Sequence, residues 1–476
     1  MKITLLSLVP IITLALAGCA VGPNYKRPTT DTPAHYKAEA LGSWKEGQPL
    51  DHVPKGDWWK IFGDETLNDL QSRATGANLE LKAAIARVEQ ARATARVARS
   101  ELLPALNADP SYTRQRFSPN QVPTFGDLTA NNYRAALDLS YEIDLWGRVR
   151  RGFESARGDA QASLAAFHNV LLTLHADVAQ NYFALRALDS EISTVTSTVE
   201  LRKEQVQLVR SRFENGIGNQ LDVARAETEL ASTEAEAASL GKRRAELENA
   251  LAILVGENPS TFKCAAVSGD DGIKWNPAPP QIPAGLPADL LERRPDVSEA
   301  ERQLAAANAR IGVAKAAFFP VLRLTGSGGY VSGDIESLFN WDSRVWSIGP
   351  SLSLPIFAGG RNLANYRRSK SAFEETIARY RQSILVAFGD VENSLAGIHS
   401  LADQAAAQDR AVANSRRAAE LADERFRAGI VSYLEVVDAD RVALQSERAS
   451  AQLAGQRLIT SVQLIKALGG GWEGQN

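Results

Sequence analysis

The sequence predicts an α+β membrane protein in which long coiled-coil helices alternate with short amphipathic strands. Three observations carry this: the chain is written twice, each half holds an unbroken heptad seam, and two-residue alternation fills the gaps between helices. The chain has 476 residues, 53 Lys+Arg against 56 Asp+Glu, and a formal net charge of −3. That balance offers no basic face to displace counterions from phosphates, which argues against a nucleic-acid binder. With 44% apolar and 23% charged residues, the composition is that of a folded protein. Beyond the first twenty residues, no apolar run approaches the roughly 20 residues a membrane helix requires. Any membrane crossing must therefore be made by strands.

The repeat sets the domain organisation. Arg212-Phe213-Glu214-Asn215-Gly216-Ile217 recurs 213 residues later as Arg425-Phe426-Arg427-Ala428-Gly429-Ile430. The same offset carries Asp177-Val178 to Asp390-Val391, Gly147-Arg148 to Gly360-Arg361 and Gly256 to Gly469. Upstream it becomes 216, relating Leu102-Leu103-Pro104 to Phe318-Phe319-Pro320. The expected layout is a first repeat at 66–256, a connector at 257–287, a second repeat at 288–470 and a tail at 471–476. Pro277, Pro279, Pro280, Pro283 and Pro287 make the connector irregular, since neither a helix nor a central strand tolerates them.

Each repeat holds one long helix. In the first, Leu164, Leu171, Val178, Leu185, Ile192, Val199, Val206 and Phe213 recur every seven residues; Ile377 to Phe426 repeat this in the second. A strict heptad held this long means left-handed supercoiling against neighbouring helices. Arg148 to Glu214 alone covers 67 residues, about 100 Å at the helical rise. A fibrous coiled coil would show the same seam. After Gly216 and Gly429 the chain turns and re-enters helix, with Asn219 and Ser432 at the expected N-caps. Ser432-Tyr433-Leu434-Glu435 reads as a capping box. Each repeat thus ends in a helical hairpin with a tight tip.

Strand signals lie between Pro104 and Gly147 and between Pro320 and Gly360. From Asn132 to Leu145, Tyr133, Ala135, Leu137, Leu139, Tyr141, Ile143 and Leu145 alternate with a polar set including Arg134, Asp138, Ser140 and Glu142. Trp346, Ile348, Leu352, Leu354 and Ile356 alternate similarly with Ser347, Ser351 and Ser353. Weaker, Gly-rich partners fall near Leu106–Phe117 and Val321–Ser332. The pattern fits a membrane barrel strand, apolar to lipid and polar to the lumen, and it equally fits a soluble two-layer sheet. Four strands cannot close a bacterial barrel, whose smallest members have about eight, and open edges do not survive in hydrocarbon. An embedded sheet therefore demands an oligomer.

The N-terminus reads as a secretory signal over residues 1–18: Lys2, an apolar stretch from Ile3 to Leu16, then Leu16-Ala17-Gly18-Cys19. Small residues before a cysteine resemble the lipobox of bacterial lipoproteins, which makes Cys19 the acylated first residue. Acylation anchors without spanning. With Cys19 so used, Cys264 has no intrachain partner and packs as a small apolar residue. An enzyme reading fails on inventory. His168 and His175 stand two turns apart, too far to share a zinc ion, and no nucleophile elbow or phosphate loop is present. No cofactor beyond the lipid is expected.

Several motifs in combination resemble the TolC-type outer membrane factors of tripartite efflux systems, in their lipoprotein branch. They are Cys19-Ala20-Val21-Gly22-Pro23-Asn24-Tyr25-Lys26-Arg27-Pro28, Trp58-Trp59-Lys60-Ile61-Phe62-Gly63-Asp64, Ile143-Asp144-Leu145-Trp146-Gly147-Arg148, Arg293-Arg294-Pro295-Asp296-Val297 and Ile356-Phe357-Ala358-Gly359-Gly360-Arg361. The resemblance implies a homotrimer sharing a 12-stranded outer-membrane barrel and a long periplasmic helical barrel, with an equatorial belt built partly from residues 19–65. It implies a passive exit duct for drugs or other toxic small molecules, working with a periplasmic adaptor and an inner-membrane transporter of the RND type. The same duct would serve metal efflux or protein secretion, and the rival reading is a non-porous coiled-coil lipoprotein. The resemblance also marks Asp222, Glu435 and Asp438 as candidate gate acids, and Arg225 and Arg427 are the candidates to stand in for the residues that latch the gate closed in some relatives. The tips, at Gly216, Ile217, Gly429 and Ile430, become candidate seats for the adaptor. Phe426 and Val431 stand where some relatives place a latching tyrosine and arginine.

Overall fold

A computed structural model describes residues 20–29, 56–118, 129–266, 278–280, 282 and 293–470. The signal segment, Cys19, most of the connector and the C-terminal tail lie outside the described residues. The helices are α1 (Glu65–Ala77), α2 (Leu79–Ser100), α3 (Arg148–Glu214), α4 (Gln220–Leu254), α5 (Pro295–Ala316), α6 (Arg361–Arg427) and α7 (Tyr433–Ala467). Helices α3 and α6 each run 67 residues, about 100 Å apiece. Helices α4 and α7 each run 35, and α2 and α5 each run 22.

The chain divides into two compact units. The first comprises described parts of Met1–Thr30, Arg87–Leu164 and Glu299–Gln382, and contains the sheet. Its strands are β1 (Ala105–Ala108), β2 (Ser111–Arg116), β3 (Thr129–Ile143), β4 (Val321–Ser332) and β5 (Arg344–Ser353). Segments β1 and β2 both pair with β3, which pairs with β4, which pairs with β5, all antiparallel. The β1 and β2 registers are continuous, Ala108 opposite Leu137 and Ser111 opposite Arg134. Pro110 separates them because it has no N–H to give the ladder. There are therefore four strand paths. Strand β5 stops at Ser353, so Leu354 and Ile356, expected within it, lie beyond; Pro355 cannot extend the ladder.

Where strand becomes helix, Trp146 stacks on Phe319 at 4.7 Å and its indole N–H donates to the Pro320 carbonyl at 2.9 Å. Residues 20–29 run from this junction as a strap. Val21 N–H donates to the Trp146 carbonyl at 2.9 Å, Arg151 to the Asn24 side chain at 2.5 Å, Tyr25 to Glu301 at 3.1 Å and Arg27 to the Tyr380 hydroxyl at 3.0 Å. Gly22 has φ +117°, and a Cβ there would stand 2.6 Å from the Gly312 Cα, so only glycine lets the strap lie against α5.

The second unit comprises described parts of Asp31–Ala86, Ala165–Ser298 and Ser383–Asn476. Its largest core gathers Trp58, Trp59, Leu67, Val178, Tyr182, Leu185, Leu251, Phe262, Leu458 and Ile465. The heptad positions Val178, Leu185, Val199 and Val206 are buried as expected, whereas Phe213 at the tip is 42% exposed. The Arg-Arg-Pro-Asp motif has a structural use. Arg294 is buried, pairs with Asp296 at 2.7 Å and Asp390 at 3.0 Å, and donates to the Ala467 carbonyl at 3.2 Å.

Candidate functional site

The sheet separates its side chains cleanly because successive residues of a strand point to opposite faces. On one face the register aligns Ile143, Leu322 and Leu352, then Leu106, Leu139 and Ile348, then Leu137 and Trp346. Gly326 and Gly328 leave room in β4 beside these larger neighbours. The face is bare: Leu106 is 61% exposed, Ile348 67%, Leu352 68% and Trp346 80%. A soluble two-layer sheet would cover it. From Tyr133 to Ile143 the apolar run is ten residue steps, about 33 Å of strand. At the usual barrel tilt that is about 25 Å of membrane normal, the height of a lipid-facing band.

The opposite face is polar and ionic. Arg134 Nη2 donates to both carboxylate oxygens of Asp138, at 2.7 and 2.8 Å, and to the Ser327 hydroxyl at 3.1 Å. Glu142 accepts from Arg148 at 2.7 Å, with Arg323 3.9 Å away. Among the described residues, β5 pairs on one side only and so does the β1–β2 path. Both edges thus carry unpaired backbone donors and acceptors.

The tips belong to the second unit and share one geometry. Gly216 and Gly429 both have φ +74°, the left-handed cap that glycine adopts without cost. Ile217 N–H donates back to the Arg212 carbonyl at 2.9 Å and Ile430 N–H to that of Arg425 at 2.9 Å. Ile217 and Ile430 are then 70% and 65% exposed. Asn219 caps α4 by accepting from Asp222 N–H at 2.9 Å. The expected capping box at Ser432 does not form. Its side chain makes no cap bond, and Glu435 N–H instead meets the Ser432 carbonyl at 3.2 Å. The Phe426 ring packs against Tyr433 at 5.4 Å, with the Arg212 guanidinium over its other side at 4.6 Å.

Of the gate candidates, the structure brings Asp222 and Arg225 together at 3.7 Å and leaves Glu435 exposed and, among the described residues, outside any ion pair. Asp438 stands 4.0 Å from Arg441, and Arg427 pairs with Asp423 at 2.7 Å. In repeat register Asp438 answers Arg225, so a position that is self-compensated in one hairpin is acidic in the other. Sequence reasoning missed a buried clamp beside these groups. Glu229 on α4 accepts from Arg202 on α3 at 2.6 Å and from Arg441 on α7. Gln205 on α3 donates to Asp440 on α7 at 2.7 Å. Burial pushes the Glu229 carboxyl upward, but the two arginines outweigh it and hold it below its ordinary value. A signal was present: Arg202 lies three residues after seam residue Val199, on the same apolar stripe.

His175 and Cys264 serve packing. His175 lies against the Trp59 ring at 4.3 Å, with its Nδ1 2.6 Å from the Gln71 amide oxygen. Burial pushes its pKa down to about 4. Cys264 is buried, its thiol pushed upward by burial, with the Arg186 guanidinium 3.8 Å from Sγ. Among the described residues, no cluster of His, Cys, Asp and Glu has metal-binding geometry, and no helix is long and apolar enough to cross a membrane.

A bare apolar sheet face of bilayer height, backed by an ionic one, defines an integral membrane protein of the β-strand class. The chain belongs to the outer membrane efflux protein family, whose model matches residues 70–257 and 286–470. It is 35% identical over 465 residues to the solvent efflux pump outer membrane protein SrpC of Pseudomonas putida, covering 96% of this chain and 97% of that one. It is 32% identical to the cation efflux system protein CusC of Escherichia coli, covering 97% and 98%. Among solved structures, the outer-membrane channel OprN matches with a TM-score of 0.86 at 31% identity, covering 95% of this chain and 100% of that one. The protein is an outer-membrane exit duct of an efflux pump, and extends into the periplasm.

Proposed function

We propose that three copies of this chain close one twelve-stranded barrel and one helical periplasmic barrel, giving a passive trans-periplasmic duct. The observation that carries the proposal is the open four-path sheet, with a bare apolar face of bilayer height and two unpaired edges. Hydrocarbon tolerates no open edge, so β5 of one copy must pair with the β1–β2 path of the next. The equal lengths of α3 and α6, and of α4 and α7, support reading each copy as a duplicated unit.

Cys19 is the lipid attachment residue in this reading. Its neighbour Ala20 packs against Gly147 at the foot of β3, where a Cβ on Gly147 would stand 2.7 Å from the Ala20 Cβ. That is a suitable place for an acyl chain to enter the bilayer. The six tips of a trimer, each bearing Gly216-Ile217 or Gly429-Ile430, seat the helical hairpins of a periplasmic adaptor that links the duct to an RND-type inner-membrane transporter. Glu435 and Asp438, with the compensated pair Asp222 and Arg225, form the acidic ring of the periplasmic gate. The cargo is drugs or other toxic small molecules, a class that includes the solvents named for SrpC. The duct itself contributes little to the choice, since CusC, named for cations, is nearly as similar.

The test is a disulfide trap. Cysteines placed at Tyr112 on β2 and Ile348 on β5 sit on opposite edges and should yield a covalent trimer on oxidation in native outer membranes. The same protein in planar bilayers should give discrete conductance steps. Monomers only, or trimers without conductance, would overturn the duct assembly.

A further inference from the structure

We infer that outward-facing arginines at the helix-distal rim of the sheet form a belt that binds the phosphate groups of the glycolipids in the outer leaflet. The inference rests on the reading of the sheet as the membrane wall, and assigns that wall a specific lipid partner.

The register supplies the geometry. On the apolar face, the ladder from the helix end reaches Tyr112 opposite Tyr133, whose rings lie 4.7 Å apart. Two residues further on the same face comes Arg114, opposite Asn131, and two beyond that Arg116, opposite Thr129. Both arginines are exposed. Strand β5 begins at the same end with Arg344, also exposed and also on the apolar face, opposite Tyr330. Its guanidinium is turned toward the loop, over the Trp341 ring and bonded to the Trp341 carbonyl at 2.8 Å. Among the described residues, these rows of the outward face contain no carboxylate. The acids nearest in sequence are Asp109 before β2, Asp127 before β3, and Asp334, Glu336 and Asp342 in the β4–β5 connection. Asp109 pairs with Arg134 at 3.4 Å, and Asp334 and Arg114 act on Tyr133 with opposite sign.

An arginine on a lipid-facing strand is costly at mid-bilayer and nearly free at the interface. Arg114 and Arg116 lie beyond the Tyr112–Tyr133 row, and Arg344 lies two residues beyond Trp346 on its own strand; cations so placed mark the edge of the hydrocarbon. At the other end of the band, the outward rows are Ile143, Leu322 and Leu352, followed by Tyr141, Leu324 and Pro350, with no cation. The charge is thus one-sided. The outer membrane is one-sided in the same sense, because multiply phosphorylated glycolipid fills only its outer leaflet. Guanidinium groups bind phosphate through paired N–H bonds, and three per chain give nine around a trimer, where they replace the divalent cations that otherwise bridge those phosphates.

The experiment compares bisphosphorylated lipid A with its dephosphorylated form, each in detergent micelles, binding to the purified full-length protein. The wild type should bind the phosphorylated form on the order of tenfold more tightly, with the advantage fading as salt rises. Arg114→Gln/Arg116→Gln/Arg344→Gln should bind both forms alike, and Arg114→Lys/Arg116→Lys/Arg344→Lys should keep part of the preference. The wild-type comparison needs no variant and so survives a variant that fails to fold. Equal binding of the two lipids by the wild type overturns the belt. So does a triple glutamine variant with undiminished preference, which would mean that the arginines are held by acids of the neighbouring copy. Conductance steps recorded on the same preparation keep the duct reading separate: a conducting protein without phosphate preference sinks only the belt.

Discussion

His175 is held neutral inside the second unit, between the Trp59 ring and the Gln71 amide, with a pKa pushed down to about 4 by burial. A histidine in the unfolded chain protonates near 6.5, so between these values the unfolded state binds the extra proton. Stability from this site is complete above pH 6.5 and is lost as pH falls toward 4, by about 3 kcal/mol in all. Denaturant melts at pH 7.5 and 4.5 should show that loss in the wild type. His175→Asn should start less stable at pH 7.5 and lose about 3 kcal/mol less across the window. An equal loss in both proteins would assign the acid sensitivity elsewhere.

At the scale of elements, what binds the hairpins is ionic as well as apolar. Glu229 receives arginines from α3 and α7 inside the bundle. Glu229→Ala leaves the buried Arg202 charge with only the carbonyl of residue 229 to meet it, at 2.7 Å, and should cost on the order of 3–5 kcal/mol. Replacing the pair with Arg202→Met/Glu229→Leu should recover most of it, as measured by chemical unfolding. Because the carboxyl is held below its ordinary value, its contribution is present at neutral pH and is lost as pH falls through that lowered value. The tips behave differently. No atom lies within 4 Å of a Cβ built on Gly429, so space is not what requires glycine; its φ of +74° is. Gly429→Ile should strain the turn by about 1–2 kcal/mol, distort the exposed Ile430 and impair export while trimers remain intact on native gels. Normal export by that variant would remove the tips from adaptor docking.

In the proposed trimer, the quantity that decides closure is charge near its axis. The first hairpin neutralises itself through Asp222 and Arg225, whereas Glu435 and Asp438 lie one turn apart and, among the described residues, Asp438 has Arg441 alone within 4.0 Å, already engaged by Glu229. Three copies of such a pair would attract multivalent cations and repel one another. Glu435→Ala/Asp438→Ala should raise pore conductance and weaken block by trivalent cations in planar bilayers. If the double variant conducts and is blocked like its parent, closure at this level is apolar.

The 67-residue span of the first long helix, the tight turns at Gly216 and Gly429 and the strand partners within each repeat were legible in the residues, because each depends on local spacing: seven for a supercoiled helix, two for a strand, a glycine wherever φ is positive. The β3–β4 pairing between repeats was not legible there. Which side of β3 is apolar followed from alternation alone. Arg202 and Glu229 lie 27 residues apart in the chain, and no periodicity says that a third helix will bring Arg441 to the same carboxylate. The strap fitted against Gly312, the missing cap at Ser432 and the exposure of Phe213 beside a buried Phe426 were likewise decided only in three dimensions. Local sequence determines which backbone states are inexpensive. Which buried charge meets which partner depends on segments hundreds of residues apart, and only the packed structure brings them within a few ångströms.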